Sequence, residues 1–407
     1  MPRDFLTLLA ALVSVTDVCA EPGYRDLDAP PHLYRQRTPA DRFTRMKDDL
    51  ESGRIALDRS SEKAFIASLL RAFDVPVSSQ MLVFSNTSLQ LRFISASNPR
   101  ALFFNDDLYV GFIPGGRVEI VSLDPELGAI FYIFDIPRDE RPPRVERSER
   151  CMNCHAAADT GFVPGLVMKS VLPGAGGGSL NAFRIEQTGH GIPFAQRFGG
   201  WYVTGGAGLA DELGNVVGRY AAGALTKERI EPGTRFDFAR YPAATSDVLP
   251  QLVLEHQAGF VNRTVEASYR ARTALHAGGG KLTPEQAREL DAQARIVTRY
   301  LLFADEAPLP PGGVAGDAAF KRDFANGRPL REFELRTRLF QLRCSPMIFS
   351  AVFSGLPPEM KRRIYRRLGE ALAVEKPDAE YGYLPVEEKR AIRAIVKATL
   401  KDLPDGW

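Results

Sequence analysis

Cysteine and histidine are scarce in this sequence, which contains four of the first and five of the second in 407 residues. Cys151 and Cys154 belong to one short motif. Cys19 lies in an N-terminal segment that we expect to be removed, and Cys344 is then left without a partner. Counting therefore excludes a scaffold held by disulfide bonds. Cys344 lies in an apolar stretch and is expected to be a small buried residue.

The sequence also lacks an apolar run long enough to span a bilayer, which takes roughly 20 residues. Its N-terminal apolar run covers residues 5–16, follows Arg3 and ends in small residues before Glu21. This order is typical of a secretory signal peptide. We expect residues 1–20 to be removed and the mature chain to lie in the periplasm, with no transmembrane segment. A lipid anchor on Cys19 is the alternative.

Strong charge of either sign is absent, because the net charge is +2. This balance gives no electrostatic reason to expect a nucleic acid partner. The composition, 44% hydrophobic and 25% charged, is typical of an ordinary globular protein. The length suggests two or three domains of roughly 150 residues each.

Hydrophobic patterning predicts an α+β fold. Apolar residues between Ser60 and Phe73 fall on one helical face. Short β-like runs then alternate with turn residues and predict an antiparallel meander. From Ser246 onward the pattern is helical, and Thr283 begins a capping box. The predicted strands of the meander are Met81–Phe84, Ala101–Phe104, Leu108–Ile113, Val118–Ser122 and Ala129–Phe134.

The sequence Cys151-Met152-Asn153-Cys154-His155 is the shortest type of peptide that binds haem covalently. Two residues between the thiols match the separation of two vinyl groups on one porphyrin edge, and the next histidine reaches the iron. Export places the chain where haem is attached. We therefore expect one covalent haem c, held by Cys151 and Cys154, with His155 as an iron ligand.

Two other interpretations of the motif meet objections. A thioredoxin-like C-x-x-C needs a βαβ setting, and His155 would then be incidental. A structural zinc site needs four ligands, and no second Cys/His pair lies at close spacing.

The second axial ligand of the iron is open at this point. His190 lies in a glycine-flanked loop and is our provisional choice, with His256 on an apolar helix face as the second candidate. Met168 and Met347 are further candidates, although each suits an apolar core. An empty sixth position is also possible and favours peroxide or oxygen chemistry. Arg197 is a candidate partner for a haem propionate, with an ordinary salt bridge as the alternative.

Three longer stretches resemble a family of exported bacterial proteins that carry a single C-x-x-C-H. They are "VPVSSQMLVFSNTSLQ" (Val75–Gln90), "HGIPFAQRFGGWYVTG" (His190–Gly205) and "LVLEHQAGFVNR" (Leu252–Arg263). The resemblance covers nearly the whole mature chain and implies a c-type monohaem cytochrome, without a particular reaction. Phe198 replaces a tryptophan of the family pattern, and Gly206-Ala207 occupies the place of Thr-His.

We therefore expect a mixed α/β region at 21–145, a haem-binding region with glycine-rich loops at 146–245, and a helical region at 246–407 that packs on it. The expected function is one-electron transfer to a redox partner protein. Two alternatives stay open: a haem enzyme of peroxidase or oxidase type with an open distal position, and a haem-based sensor or scaffold. A late basic helix, from Lys361 to Arg367, offers a possible docking face, although a solvated surface is the simpler interpretation.

Overall fold

The structure is a computed structural model that describes residues 23–182, 188–206 and 208–407. The predicted signal peptide, Cys19 and Ala207 lie outside these ranges. The strands in the described part are β1 (Met81–Val83), β2 (Arg100–Phe104), β3 (Leu108–Phe112), β4 (Val118–Asp124), β5 (Gly128–Phe134), β6 (Glu146–Arg147), β7 (Val171–Pro173), β8 (Ser179–Ala182), β9 (Trp201–Tyr202), β10 (Val216–Ala221) and β11 (Ala224–Arg229).

The helices of the described part follow mainly in the C-terminal half. They are α1 (Arg42–Glu51), α2 (Glu62–Ala72), α3 (Met152–His155), α4 (Val248–Ala277), α5 (Pro284–Leu301), α6 (Ala318–Ala325), α7 (Ala351–Ser354), α8 (Pro358–Ala371) and α9 (Val386–Thr399). The α+β prediction is confirmed at this level. None of these helices combines the length and the apolar character needed to cross a bilayer.

One antiparallel sheet of seven strands, in the order β6-β5-β4-β3-β2-β1-β9, forms the centre of the structure. The bounds of β1–β5 agree with the five predicted strands within two residues at each end. The turns between strands carry side chains that bind their own backbone. Asp124 accepts hydrogen bonds from the main-chain N–H groups of Glu126 and Leu127, both at 2.8 Å. Strand β9 comes from a distant part of the chain and pairs with β1. Two small hairpins, β7–β8 and β10–β11, lie outside this sheet.

The two faces of the sheet have different covers. On one face Phe43 of α1 packs on Tyr132 of β5, with ring centroids 4.7 Å apart, and on Phe73 at the end of α2. On the other face the hydroxyl of Tyr109 donates to Gln257 of α4 at 3.3 Å. His155 of the cysteine motif packs on Phe131 of this second face. We call the second face the motif face.

The C-terminal helices pack around α4, which is buried along most of its 30 residues. Tyr300 of α5 donates to the carbonyl of His256 in α4 at 3.1 Å. Arg363 of α8 forms an ion pair with Asp291 of α5 at 2.8 Å. The expected capping box at Thr283 is present at the start of α5. The helix that was expected to begin near Ser246 is capped by Asp247.

Candidate functional site

The cysteine motif forms one short helical turn beside the edge of the sheet. Ser148, just before it, donates its main-chain N–H to the carbonyl of Phe131 at 2.8 Å. Helix α3 then contains the second cysteine, Cys154, which is exposed. Cys151 is partly buried, and burial raises the pKa of its thiol. Because the cysteines are three residues apart on a helical turn, both thiols lie on the same side of it.

His155 is held at both its ring and its main chain by one glycine. Its Nδ1 lies 2.8 Å from the carbonyl oxygen of Gly165, and the N–H of Gly165 donates to the carbonyl of His155 at 2.8 Å. Since a carbonyl only accepts, Nδ1 carries the proton and Nε2 has a free lone pair. No hydrogen bond is made by this Nε2 to the residues that the structure describes.

Burial keeps the His155 ring neutral. Burial lowers the pKa of His155 to about 4, against a smaller rise from the Gly165 hydrogen bond. The ring also packs on Phe131, with centroids 4.6 Å apart. A neutral imidazole with Nδ1 bound to a main-chain carbonyl is the usual state of a metal-ligating histidine.

The loop that contains Gly165 is clamped by Asn262 of α4. The side chain of Asn262 accepts from the N–H of Leu166 and donates to its carbonyl, both at 2.8 Å. A Cβ at position 165 would lie 2.3 Å from the Asn262 oxygen, so this position requires glycine. Helix α4 therefore fixes the carbonyl that orients His155.

Charged side chains lie near His155, both on the motif face and in the loops beside it. Arg100 of β2 forms an ion pair with Glu119 of β4 at 2.9 Å. Lys169 forms an ion pair with Asp159. The charges of Arg100 and Lys169 lower the pKa of His155, and the charge of Glu119 raises it.

The motif face also carries an incompletely covered apolar patch. Strand register places Leu102 opposite Gly111 and Gly111 opposite Glu119. Leu102 and Val121 are only partly buried, unlike the core residues around them. Gly111 lies between them, and a Cβ there would lie 3.1 Å from the Glu119 carboxylate. Leu102 and Val121 are thus partly exposed apolar side chains on the motif face, and the Arg100–Glu119 ion pair lies on the same face.

These features fit a covalently attached porphyrin. Two thiols share one side of a helical turn, a neutral imidazole offers Nε2, and a partly exposed apolar face lies alongside. In the described ranges, no group of three or more His, Cys, Asp and Glu side chains could hold a metal ion. A haem needs fewer protein donors, because the porphyrin supplies four of the iron ligands.

His190 and His256 are brought together by the fold, but in a different cluster. Their Nδ1 atoms lie 2.8 Å apart. The Nε2 of His190 lies 3.2 Å from the carbonyl of Ala304, and the Nε2 of His256 lies 2.7 Å from the hydroxyl of Ser345. Ligation of iron by His190 or His256 stays a prediction, and it would require one of these hydrogen bonds to break.

This histidine pair is a buried part of the core. His190 is 4% exposed and His256 is fully buried. Tyr300 and Phe303 stack on the His190 ring, with centroids 4.0 and 4.9 Å away. Burial lowers the pKa of both histidines, so both are neutral near pH 7. None of these contacts involves the cysteine motif.

Arg197 lies beside the histidine pair and is 4% exposed. Its guanidinium donates to the carbonyls of Ile192 and His190, both at 2.7 Å. It also forms an ion pair with buried Glu255 at 3.3 Å. The salt bridge considered as the alternative is therefore present, and contact with a propionate stays a prediction.

The remaining candidates are core or surface residues. Met168 is 4% exposed and Met347 is fully buried. The expectation for Cys344 is confirmed, because it is fully buried and burial raises its pKa to about 12. Arginines of the basic helix α8 pair with Glu359 and Asp291, which reduces the positive charge of that face.

Several residues of this site were missed by the sequence analysis, notably Gly165, Asn262 and Arg100. Asn262 lies in the stretch that supplied His256 as a candidate. Its signal is a polar residue that directly follows the apolar residues Phe260 and Val261 in that stretch. Gly165 and Arg100 gave no signal, because their roles arise from contacts between distant segments.

Comparison of this chain with protein-family models, with curated proteins and with solved structures finds no match. The geometry of the site is therefore the basis for the functional conclusion.

Proposed function

We propose that this protein is a c-type cytochrome that carries one haem. Cys151 and Cys154 would form the two thioether bonds, and His155 would be the proximal ligand. The observation that carries the proposal is the Nδ1 contact of His155 with Gly165 at 2.8 Å, which leaves Nε2 for the iron. When bound, haem supplies a one-electron couple between its ferric and ferrous states.

The thiols support this proposal over a dithiol redox function. A catalytic C-x-x-C thiol has a lowered pKa, because the thiolate is the reactive form. Burial raises the pKa of Cys151 instead. The raised pKa of Cys151 therefore argues against a catalytic dithiol.

The exposed position of Cys154 favours electron transfer as the function. A haem held at this residue would have one edge near the surface, where a redox partner protein could exchange electrons with it. Burial of the opposite edge against the sheet would tune the potential. In this proposal residues 146–245 form the haem-binding region, residues 246–407 the helical region that supports it, and the mature protein acts in the periplasm.

The decisive experiment is expression in a host that attaches haem to C-x-x-C-H motifs. We expect the mature protein to gain the mass of one haem and to give the pyridine haemochrome spectrum of two thioether bonds. Cys151→Ala and Cys154→Ala should each remove one of these bonds. Cys344→Ala is the matched control, since Cys344 is buried away from the motif, and it should retain the full spectrum. An intact protein with the mass of bare polypeptide would refute the proposal.

A second candidate function, ligand binding at an open distal face, is favoured by the placement of the other histidines. His190 and His256 bind each other. His32 stacks on Tyr269 and bonds to Thr273, and His276 is exposed at the end of α4. An open site would suit a haem enzyme or a gas sensor.

Spectroscopy separates these functions. Ligation by His190 gives a low-spin ferric spectrum that His190→Ala converts to high spin. An open site gives a high-spin spectrum that His190→Ala leaves unchanged, together with rapid cyanide binding. Turnover with hydrogen peroxide would then indicate an enzyme. Carbon monoxide binding that changes the oligomeric state without turnover would indicate a sensor.

A further inference from the structure

Arg100 shares the motif face with His155, whose pKa its charge lowers. It lies two residues before Leu102 in β2, so both side chains point to the same face of the sheet. That face continues through Gly111, Glu119 and Ile133 by direct strand pairing.

The guanidinium of Arg100 uses only some of its N–H groups in hydrogen bonds. Its Nη1 donates to Glu119 at 2.9 Å, while its Nε is buried and has no hydrogen-bond partner in the described part of the chain. The side chain is only 14% exposed. Leaving a buried guanidinium N–H without an acceptor is unfavourable, so a further acceptor at this position would stabilise the structure.

Glu119 does not depend on Arg100 alone. Its carboxylate also accepts from the hydroxyl of Ser88 and from the amide of Gln90, the latter at 2.9 Å. Three donors therefore hold this carboxylate. Arg100 can bind a second carboxylate without leaving Glu119 unpaired.

We propose that Arg100 binds a propionate of the haem and positions the porphyrin on the motif face. This inference rests on the proposed haem attachment. The planar guanidinium matches a carboxylate through parallel hydrogen bonds. The guanidinium of Arg197, the candidate that the sequence suggested for this contact, already binds Glu255 and two carbonyls.

Arg100 would also set the reduction potential. A fixed positive charge near the iron disfavours the ferric state, which carries the additional positive charge. The same cation keeps the propionate ionised by lowering its pKa. Removal of the guanidinium should therefore lower the potential and bring the propionate titration closer to neutral pH.

The test is the reduction potential of the holoprotein between about pH 5 and about pH 9, measured by spectroelectrochemistry. Arg100→Gln is expected to shift the equilibrium with a reference couple about tenfold toward the ferric form, equivalent to about 59 mV for one electron. Its potential should also rise as the pH falls, because the propionate becomes protonated. Arg100→Lys should restore most of the potential but keep a steeper pH dependence than the parent protein.

Arg150→Gln is the matched control, because Arg150 adjoins Cys151 and is exposed. It should cause a much smaller shift and no new pH dependence. An Arg100→Gln holoprotein with the potential and pH profile of Arg150→Gln would overturn the inference while leaving the haem assignment intact. If Arg100→Gln does not fold, a parent-like pH profile in Arg100→Lys would overturn it instead. A parent protein without covalent haem would refute the proposed function itself.

Discussion

The main chain of Gly165 contacts His155 twice, once at its imidazole Nδ1 and once at its carbonyl oxygen, each at 2.8 Å. This double contact fixes both the tautomer and the position of the ring. Asn262 then fixes the loop itself through Leu166. Helix α4 and the cysteine motif are thereby joined, although 107 residues separate His155 from Asn262 in the sequence.

Asn262→Ala should destabilise the protein, because it leaves the N–H and the carbonyl of buried Leu166 without partners. The expected loss in the free energy of unfolding is about 1–3 kcal/mol, measured by urea denaturation. Asn181→Ala, at an exposed position, should change it by less than about 0.5 kcal/mol. Equal stability of the two variants would contradict a stabilising role for the hydrogen bonds between Asn262 and Leu166.

Arg197→Met should lower the free energy of unfolding more than Asn262→Ala does. It leaves Glu255 as a buried charge with its Arg197 partner removed. Glu255 is 1% exposed, and loss of one partner from such a pair costs about 3–5 kcal/mol. Thermal and urea denaturation measure this loss. Arg366→Met removes an arginine that is 55% exposed and pairs with Asp291, and it should cost no more than about 1 kcal/mol. A similar small cost at Arg197 would show that the buried pair does not stabilise the fold.

Acid should destabilise the protein through His32. Burial, followed by the charges of Arg272 and Arg37, lowers the pKa of His32 to about 4. Between about pH 6.5 and about pH 4 the unfolded chain therefore binds a proton at this residue that the folded chain does not. The contribution of neutral His32 to the free energy of unfolding is fully present above this window. It is lost as the pH decreases through the window, by up to about 3 kcal/mol.

The measurement is the free energy of unfolding across this window for the parent protein and for His32→Gln. The variant should show a shallower decline, because one titrating group is absent. Parallel curves would mean that His32 is protonated equally in both states.

Glu306 should destabilise the protein as the pH rises, whereas His32 destabilises it as the pH falls. Burial raises its pKa to about 7, while the unfolded side chain titrates near about 4.5. Its contribution to stability is therefore present below about pH 4.5 and is lost as the pH rises through about 7. Glu306→Gln keeps an acceptor for the N–H of Leu339, which bonds to the carboxylate at 2.9 Å, and removes the titration.

We expect Glu306→Gln to become more stable than the parent protein above about pH 7, by up to about 3 kcal/mol. Glu387→Gln, at a side chain that is 83% exposed, should differ from the parent by less than about 0.5 kcal/mol. A constant difference between Glu306→Gln and the parent at all pH values would contradict this assignment.

The local elements of the fold could be predicted with good accuracy. The five meander strands and the capping box at Thr283 have signals within a few residues of themselves, namely alternation, turn side chains and a capping pattern. The pairing of β9 with β1 had no such signal, because it depends on contacts across more than 100 residues.

The histidines show the same limit within the site. A glycine-flanked loop made His190 a reasonable candidate ligand, yet the fold places its ring between Tyr300 and Phe303 and against His256. No local pattern distinguishes a histidine that meets an aromatic core from one that meets a metal.

By itself the sequence determined the candidate chemistry, because thiol spacing and an adjacent imidazole are covalent properties of five consecutive residues. It also determined the five meander strands, helix α2 and the helical character of the C-terminal half, which follow from local periodicity. Only the tertiary structure decided that Gly165 and Asn262 orient His155, that Arg100 shares its face of the sheet, and that His190 pairs with His256. Each of these is a contact between segments far apart in the chain, and such contacts are set by how the helices pack on the sheet.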